Sequence, residues 1–391
     1  MPEIPQGVDV YARAKDRIRS LYLGGHRVVV AFSGGKDSTI ILNLCVEVAT
    51  ELDLLPVEAS FFDEEIIYPG VVDYLLRVGQ RDDIDFNWFS ARCPQINAFS
   101  RDQPYWWTFD DRLNPSEWIR QPPDQVVWID DNELKGTISP RRFPPPPGKS
   151  LVSVQGIRAT ESRNRRMSIF SSRGFLSKEN KYGHKSARPI FDWKDSDVWK
   201  AISDHKWDYA QTYNLMLRLG ISKSRMRIGP PTMTSAAVSK LQMAAKAWPQ
   251  WFDKLTKRLP GIRTAAMFGK RAIQPNRRLG ETWSTCYQRT CIDEAPEWLA
   301  TRCAAYKELR ERQHRYHSNE PLPEAAACAT CYANGSWKAM TKAMYMGDPF
   351  AIKDGSLRLV EPDEFRPGSG KWWISLKQRE KDDQARAFGV S

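Results

Sequence analysis

The chain has 391 residues, enough for two domains, and carries 58 Lys plus Arg against 47 Asp plus Glu, a net charge of +11. It contains no apolar run near the length a membrane span requires, and its first nine residues lack a signal-peptide pattern, so membrane and secreted classes are set aside and the cytoplasm is the expected compartment. The positive excess suits an anionic partner, either a nucleotide or nucleic acid.

Residues 8–22 have helical spacing, 28–32 read as a strand, 39–52 as a helix, 57–62 as a second strand, 68–78 as a helix and 84–89 as a third strand. This alternation predicts an α/β fold, a parallel sheet flanked by helices, with its ligand site at the carboxyl ends of the strands. Between the first strand and its helix lies Ser33-Gly34-Gly35-Lys36-Asp37-Ser38. Adjacent glycines let the backbone turn tightly so that successive N–H groups face an anion, and the helix adds its positive end. Lys36 brings a mobile charge, and Ser33 and Ser38 bring hydroxyls. The spacing is not G-x-x-x-x-G-K-[ST], which excludes a Walker P-loop. Asp63-Glu64-Glu65 falls at the end of the second strand, where carboxylates hold magnesium or a ribose hydroxyl, or simply form a solvated acidic loop.

The alternation stops over 92–150, an insertion rich in proline and aromatics that includes Trp106 and Trp107. Those tryptophans either stack on the bases of a substrate or pack the insertion. A strand follows at 151–157, running from Gly156 into Arg158, Arg163, Arg165 and Arg166. Four arginines so close together repel one another unless an anion or carboxylates neutralise them, and a phosphate or sulfate partner is the economical explanation. Asp195 is placed to cap a helix running to His205.

Beyond residue 233 the chain reads as a separate, mostly helical C-terminal domain, opening with a basic amphipathic helix over 235–259. Cys45 reads as core, whereas Cys286, Cys291, Cys303, Cys328 and Cys331 crowd the last third. Cys286-x4-Cys291 and Cys328-x2-Cys331 are two short-spaced pairs, the arrangement by which a chain brings four thiolates to one metal. Zinc and an iron–sulfur cluster both accept such a set. Cys303 is left over, and His314 and His317 would substitute in a mixed zinc site.

Three blocks together resemble the phosphoadenosine phosphosulfate (PAPS) reductase family of the PP-loop ATP pyrophosphatase superfamily. They are Ser33 to Ser38, Gly156-Ile157-Arg158-Ala159-x-Glu161-Ser162, and Pro189-Ile190-Phe191-Asp192-Trp193 followed by Asp197-Val198-Trp199, spanning residues 25–230. The resemblance implies an adenine nucleotide alpha-hydrolase-like fold for residues 1–233, with ATP between the loop and Arg158. It implies Lys36, Asp37 and Arg158 as catalytic residues. The nucleotide and its Mg2+ would be bound by Ser33, Gly34, Gly35, Lys36, Asp37, Ser38, Asp63, Gly156 and Arg158, and an acceptor by Arg163, Arg165, Arg166, Trp106 and Trp107.

The strand end at Asp63-Glu64, Trp106-Trp107 and Tyr213 to Met216 are similar to the IbrA-like branch. The nucleophilic Glu-Cys-Gly-(Ile/Leu)-His motif of sulfonucleotide reductases does not occur in the chain, so reduction of PAPS to sulfite is not expected. The intact loop looks more like members that split ATP, such as the small subunit of ATP sulfurylase or the DNA-sulfuration protein DndC; the latter carries an iron–sulfur cluster and tilts the metal reading that way. The expected activity is cleavage of ATP between its α and β phosphates to adenylate an acceptor for sulfur transfer to nucleic acid. Alternatives are sulfonucleotide chemistry on a small molecule, or a non-catalytic nucleotide-dependent regulatory or DNA-associated protein. A sulfur-donor or regulatory protein is a further expected partner, and a membrane is not.

Overall fold

The structure is a computed structural model that describes residues 9–129, 138–171, 174–180, 183–223, 226–231, 238–326, 328, 335–349, 351 and 353–360. The chain forms two compact units, Met1–Cys93 with Thr108–Pro230, and Pro94–Trp107 with Pro231–Ser391. Its strands are β1 Arg27–Ala31, β2 Val57–Asp63, β3 Ile84–Ser90, β4 Pro94–Ile96, β5 Tyr105–Trp107, β6 Val127–Trp128, β7 Leu151–Gln155 and β8 His184–Ala187. No helix among the described residues is long and apolar enough to cross a membrane.

The first unit holds a six-stranded sheet in the order β6-β3-β2-β1-β7-β8, and every pairing is parallel. β1 is central because Val28, Val29 and Val30 are buried on both faces, as helix-covered parallel strands require. Helix α1 (Val10–Leu23), α2 (Lys36–Glu51) and α3 (Pro69–Val78) alternate with the first three strands. α2 is the most deeply packed: Ile40, Ile41, Leu42, Leu44, Cys45, Val48 and Ala49 are all inaccessible, so it buries more than one face. β1 to β2 steps one way across the sheet and β7 lies on the other side of β1. The strand order therefore reverses between β1 and β7, and the crevice beyond their carboxyl ends is where such sheets bind ligands.

Three expectations are revised. The loop helix starts at Lys36, inside the Ser33–Ser38 motif. β6, β8 and the helix α4 (Arg163–Ser171) were not foreseen. The 92–150 insertion is two pieces: 108–129 stays with the sheet, while 94–107 joins the second unit as an antiparallel β4–β5 pair, Pro94 opposite Trp107 and Ile96 opposite Tyr105. The excursion is pinched at its base, where the Thr108 N–H donates to the Cys93 carbonyl at 3.0 Å. α5 (Asp195–Asp204) and α6 (Thr212–Arg218) complete the first unit.

The second unit is helical: α7 (Val238–Ala247), α8 (Pro249–Arg258), α9 (Ile262–Phe268), α10 (Trp283–Tyr287) running into a π-helix over Gln288–Asp293, α11 (Glu297–His317) and α12 (Trp337–Met344). The single helix expected over 235–259 is broken between α7 and α8, because Pro249 disfavours helical backbone at Trp248, whose ψ is 69°. Tyr105 and Trp107 of β5 share one core with Tyr287, Cys291, Trp298, Leu299, Cys303 and Met340.

Gly156, one residue past β7, passes the start of α2 so closely that a Cβ there would lie 2.5 Å from the Asp37 carbonyl carbon and 2.7 Å from the Ser38 nitrogen. Backbone cannot yield as a side-chain tip can. Gly156→Ala is expected to destabilise the protein by about 1–3 kcal/mol or more, whereas Gly229→Ala, with no atom within 4 Å of the new carbon, should be close to neutral. Denaturant titration of the two variants makes the comparison.

Candidate functional site

The Ser33–Ser38 loop sits at the carboxyl end of β1, on the switch point of the sheet. Gly34 has φ +70°, a conformation open to glycine, and packs against Val71 and Leu75 of α3. Gly35 is extended and caps α2 without a side-chain bond. The Ser33 and Ser38 hydroxyls are 3.1 Å apart, Ser38 Oγ donates to the Gly35 carbonyl at 2.9 Å, and the Lys36 N–H donates to the Tyr213 phenol at 2.9 Å. Burial pushes the Tyr213 hydroxyl well above its ordinary range, so it stays a neutral phenol.

Lys36 and Arg158 are 4% and 2% exposed, and such cations persist only when paired. Asp37 and Asp195 supply the pairs. Lys36 Nζ is 2.8 Å from Asp37 and 3.4 Å from Asp195, while Arg158 donates from Nε to Asp37 at 2.6 Å and from Nη2 to Asp195 at 2.8 Å. Asp195 was expected to cap α5; instead Lys194 is the cap residue, its N–H held by Asp197, and the Asp195 carboxylate joins the cation pair. Asp195 and Tyr213 are thus site residues whose role the sequence reading missed. The signal for Asp195, an acid in the first turn of a helix, was read as local.

Of the four arginines after β7, only Arg158 is buried. Arg163 and Arg166 are exposed on α4. Arg165 is half-buried and paired with Glu161, whose carbonyl accepts from Arg227 at 3.0 Å. Burial, together with the positive Arg227 and Arg158, holds the Arg165 guanidinium below its ordinary range. A bound anion would relieve that crowding of cations.

Asp63 does not offer a free carboxylate. It is inaccessible, accepting from Trp88 Nε1 at 2.9 Å, from the Glu65 N–H at 2.9 Å and from Arg120. Glu65 is equally engaged: it takes the backbone N–H groups of Phe109 at 2.5 Å and Ile119 at 2.9 Å, bolting the 108–129 segment to the end of β2. Asp63, expected to hold magnesium or a ribose hydroxyl, here makes these three protein contacts. Glu64 is the carboxyl of the triplet with neither contact, and burial together with Asp63 pushes it up to about 7.

Trp106 and Trp107, expected on the substrate surface, are 7% and 6% exposed within β5 of the second unit, so their rings are largely buried there. Cys286, Cys291 and Cys303 are all buried and Cys328 is half-buried, while Cys331 lies outside the described residues. The contact with Cys303 holds the Cys291 thiol below its ordinary value, and burial pushes Cys303 well up and Cys286 up. Among the described residues no group of three or more His, Cys, Asp or Glu side chains is arranged to hold a metal ion.

The fold and this site define a class: a parallel α/β unit with a glycine-containing, lysine-bearing loop at the switch point of its sheet. No protein-family model matches the chain. It is 29% identical over 255 residues to the uncharacterized protein YbdN of Escherichia coli (strain K12), a match covering 59% of this chain and 60% of YbdN. Among solved structures it is similar to the PAPS reductase of Candida auris in a phosphate complex, with TM-score 0.34, 13% identity, and coverage of 56% of this chain and 87% of that one. The FMN adenylyltransferase of Candida glabrata gives TM-score 0.32 and 13% identity over 54% of this chain and 62% of that one. Likenesses at these scores carry no argument about the reaction.

Two outcomes follow from the carboxylates. Glu65→Ala leaves two buried N–H groups without an acceptor and should cost about 3 kcal/mol, read by denaturant titration, with faster proteolysis within 108–129. Glu64 is the opposite case: its folded value of about 7 exceeds its unfolded value of about 4.3. The folded state therefore binds more protons between those limits, and this contribution to stability is present below about pH 4 and lost as pH rises through about 7. In the same denaturant titration, Glu64→Gln should match the wild type below about pH 4 and be more stable above pH 8, by about 3–4 kcal/mol.

Proposed function

We propose that the first unit is a PP-loop ATP pyrophosphatase of PAPS reductase type, which binds ATP on the Ser33–Ser38 loop and transfers its adenylyl group to an acceptor. The observation that carries this reading is the pairing of Lys36 and Arg158 across the β1/β7 switch point, two buried cations whose counter-charges among the described residues are Asp37 and Asp195 of their own cluster. Phosphates entering there exchange with carboxylates already in place, so the charges need no desolvation at the moment of binding. Ser33, Gly34, Gly35 and Ser38 would cradle the phosphates, with Gly156 giving the loop room. Lys36 would stabilise the charge shed onto pyrophosphate. In the step itself a nucleophilic atom of the acceptor bonds to the α-phosphorus as the bond to the β-phosphate oxygen breaks, and the electron pair leaves with pyrophosphate. Magnesium, arriving on the phosphates, supplies charge neutralisation. Glu64, at the β2 end, would be the carboxylate to hold it.

The acceptor would lie against Arg163, Arg165, Arg166 and Arg227. Phosphates of nucleic acid fit that crowded charge, with sulfur transfer as the purpose of the activation and a separate protein as sulfur donor. The anionic group of a sulfonucleotide fits the same charge and is the second reading. Turnover that requires added nucleic acid selects the first. Nucleotide binding without pyrophosphate release would instead mark a regulatory switch.

For the metal, the spacing of Cys286, Cys291, Cys328 and Cys331 supports one four-thiolate centre, zinc or iron–sulfur, and the Cys291–Cys303 contact supports Cys303 as an alternative ligand. Elemental analysis of the five single serine variants decides between them. Cys328→Ser is expected to lose metal and Cys303→Ser to keep it; the reverse result replaces Cys328 by Cys303.

Gly35→Val tests the loop. The new Cβ would meet side-chain atoms alone, Ser33 Oγ at 3.3 Å, the Tyr213 hydroxyl at 3.6 Å and Ile228 Cγ1 at 3.9 Å, so the fold should survive while calorimetric titration shows ATP binding lost. Lys36→Ala should keep part of the affinity through the amides, yet slow pyrophosphate release by about 100-fold or more. Unchanged ATP affinity in Gly35→Val removes the assignment.

A further inference from the structure

The second unit gathers positive charge on an indole in a way its own packing does not require. Trp283, the first residue of α10, has Arg277 Cζ at 5.5 Å from its ring centroid and the Nζ atoms of Lys338 and Lys342 each at 5.9 Å. Beside it on the same helix pair, Trp337 carries Lys307 Nζ at 5.8 Å and packs edge-on against Tyr287. Lys338 and Lys342 stand one turn apart on α12, a like-charge spacing that costs a little free energy in a helix.

Several cations of this unit are neutralised: Arg278 by Glu294, Arg289 by Glu281 and Glu294, Lys257 by Asp253, and Arg310 by Asp354. Arg277, Lys307, Lys338 and Lys342 make no ion pair among the described residues. The nearby carboxylate, Glu324, is spent on the start of α10, accepting from the Trp283 N–H at 2.5 Å and the Ser284 hydroxyl at 2.6 Å. A single cation satisfies an indole face, and three on one ring repel. Both indoles are half-buried, so each keeps part of its surface open to solvent.

We propose that the α10/α12 face, Trp283 and Trp337 with Arg277, Lys307, Lys338 and Lys342, binds single-stranded nucleic acid. Phosphates take the lysines and Arg277, and as those cations turn outward the indoles are released to stack on bases. Unpaired bases are the fitting partner because a duplex hides its base faces, whereas every single-stranded base offers one. The assignment does not rest on nucleotide binding by the first unit.

Fluorescence anisotropy of a labelled mixed-sequence 20-nucleotide single strand, with the full chain and no ATP, tests it across a salt series. The wild type should bind and weaken with salt. Lys338→Ala with Lys342→Ala should reduce the slope of log K against log salt by about 1.4, at about 0.7 for each phosphate no longer neutralised. Trp283→Ala should lower affinity about 5- to 150-fold with the slope unchanged. Because Trp283 is partly packed, Lys342→Glu on an exposed side chain is the companion variant, expected to weaken binding by about tenfold or more while circular dichroism stays that of the wild type. The proposal is overturned by absence of binding at low salt, by wild-type affinity in the lysine variants, by equal affinity for the duplex of the same sequence, or by inorganic polyphosphate binding as tightly and depending equally on Trp283. Loss of ATP binding in Gly35→Val leaves all these readouts in place, so failure of the first unit's reading and failure of this one are distinguishable.

Discussion

The buried guanidinium of Arg158 is the constraint from which the first unit's site is built. An unpaired charge at that depth would cost more than a small domain's stability allows, so two carboxylates must reach it. They come from the first turns of two helices, Asp37 of α2 and Asp195 of α5, where an acid is also favoured by the helix dipole. Each carboxylate therefore serves a helix start and a buried cation together. One side chain thus holds the end of β7 to the starts of α2 and α5, and Gly156 is what lets the backbone pass close enough for this to happen.

A similar economy governs the acidic triplet. Glu65 and Phe109 both have positive φ, 59° and 42°, and such conformations persist only where surrounding contacts over-determine them. The carboxylate of Glu65 supplies those contacts by holding the Phe109 and Ile119 amides, and Asp63 adds Trp88 and Arg120. Two acids are consumed in fastening one loop to the end of β2. The third is left to titrate.

The alternation from β1 to β3 was legible because a run such as Val28-Val29-Val30 has one reading beside a helix-periodic segment. β6 and β8 were not: the first is two exposed residues, the second polar, and neither carries the pattern of a buried strand. The loop residues announced themselves through their glycines. Arg158 was visible as charge, but its burial depends on Asp195, 37 positions away, and no local pattern encodes a distant ion pair. Trp106 and Trp107 show the same limit. An aromatic among prolines reads equally as a stacking platform or as core, and the neighbours that decide it for Trp107, Tyr287 and Trp298 among them, lie far along the chain.

The excursion of 94–107 makes the second unit discontinuous, which bears on how the chain assembles as it emerges. β4 and β5 are synthesised early, yet the residues they pack against, such as Tyr287, Trp298 and Met340, come nearly two hundred positions later or more. Until then Tyr105 and Trp107 are apolar surface without a core, carried by a sheet that is itself waiting for β7 and β8. Contacts of that sequence separation pay their loop-closure cost before they return any stabilisation. For the same reason no single cut near residue 230 yields two whole pieces: a fragment starting there lacks its own β-hairpin, and one ending there carries that hairpin with nothing to cover it.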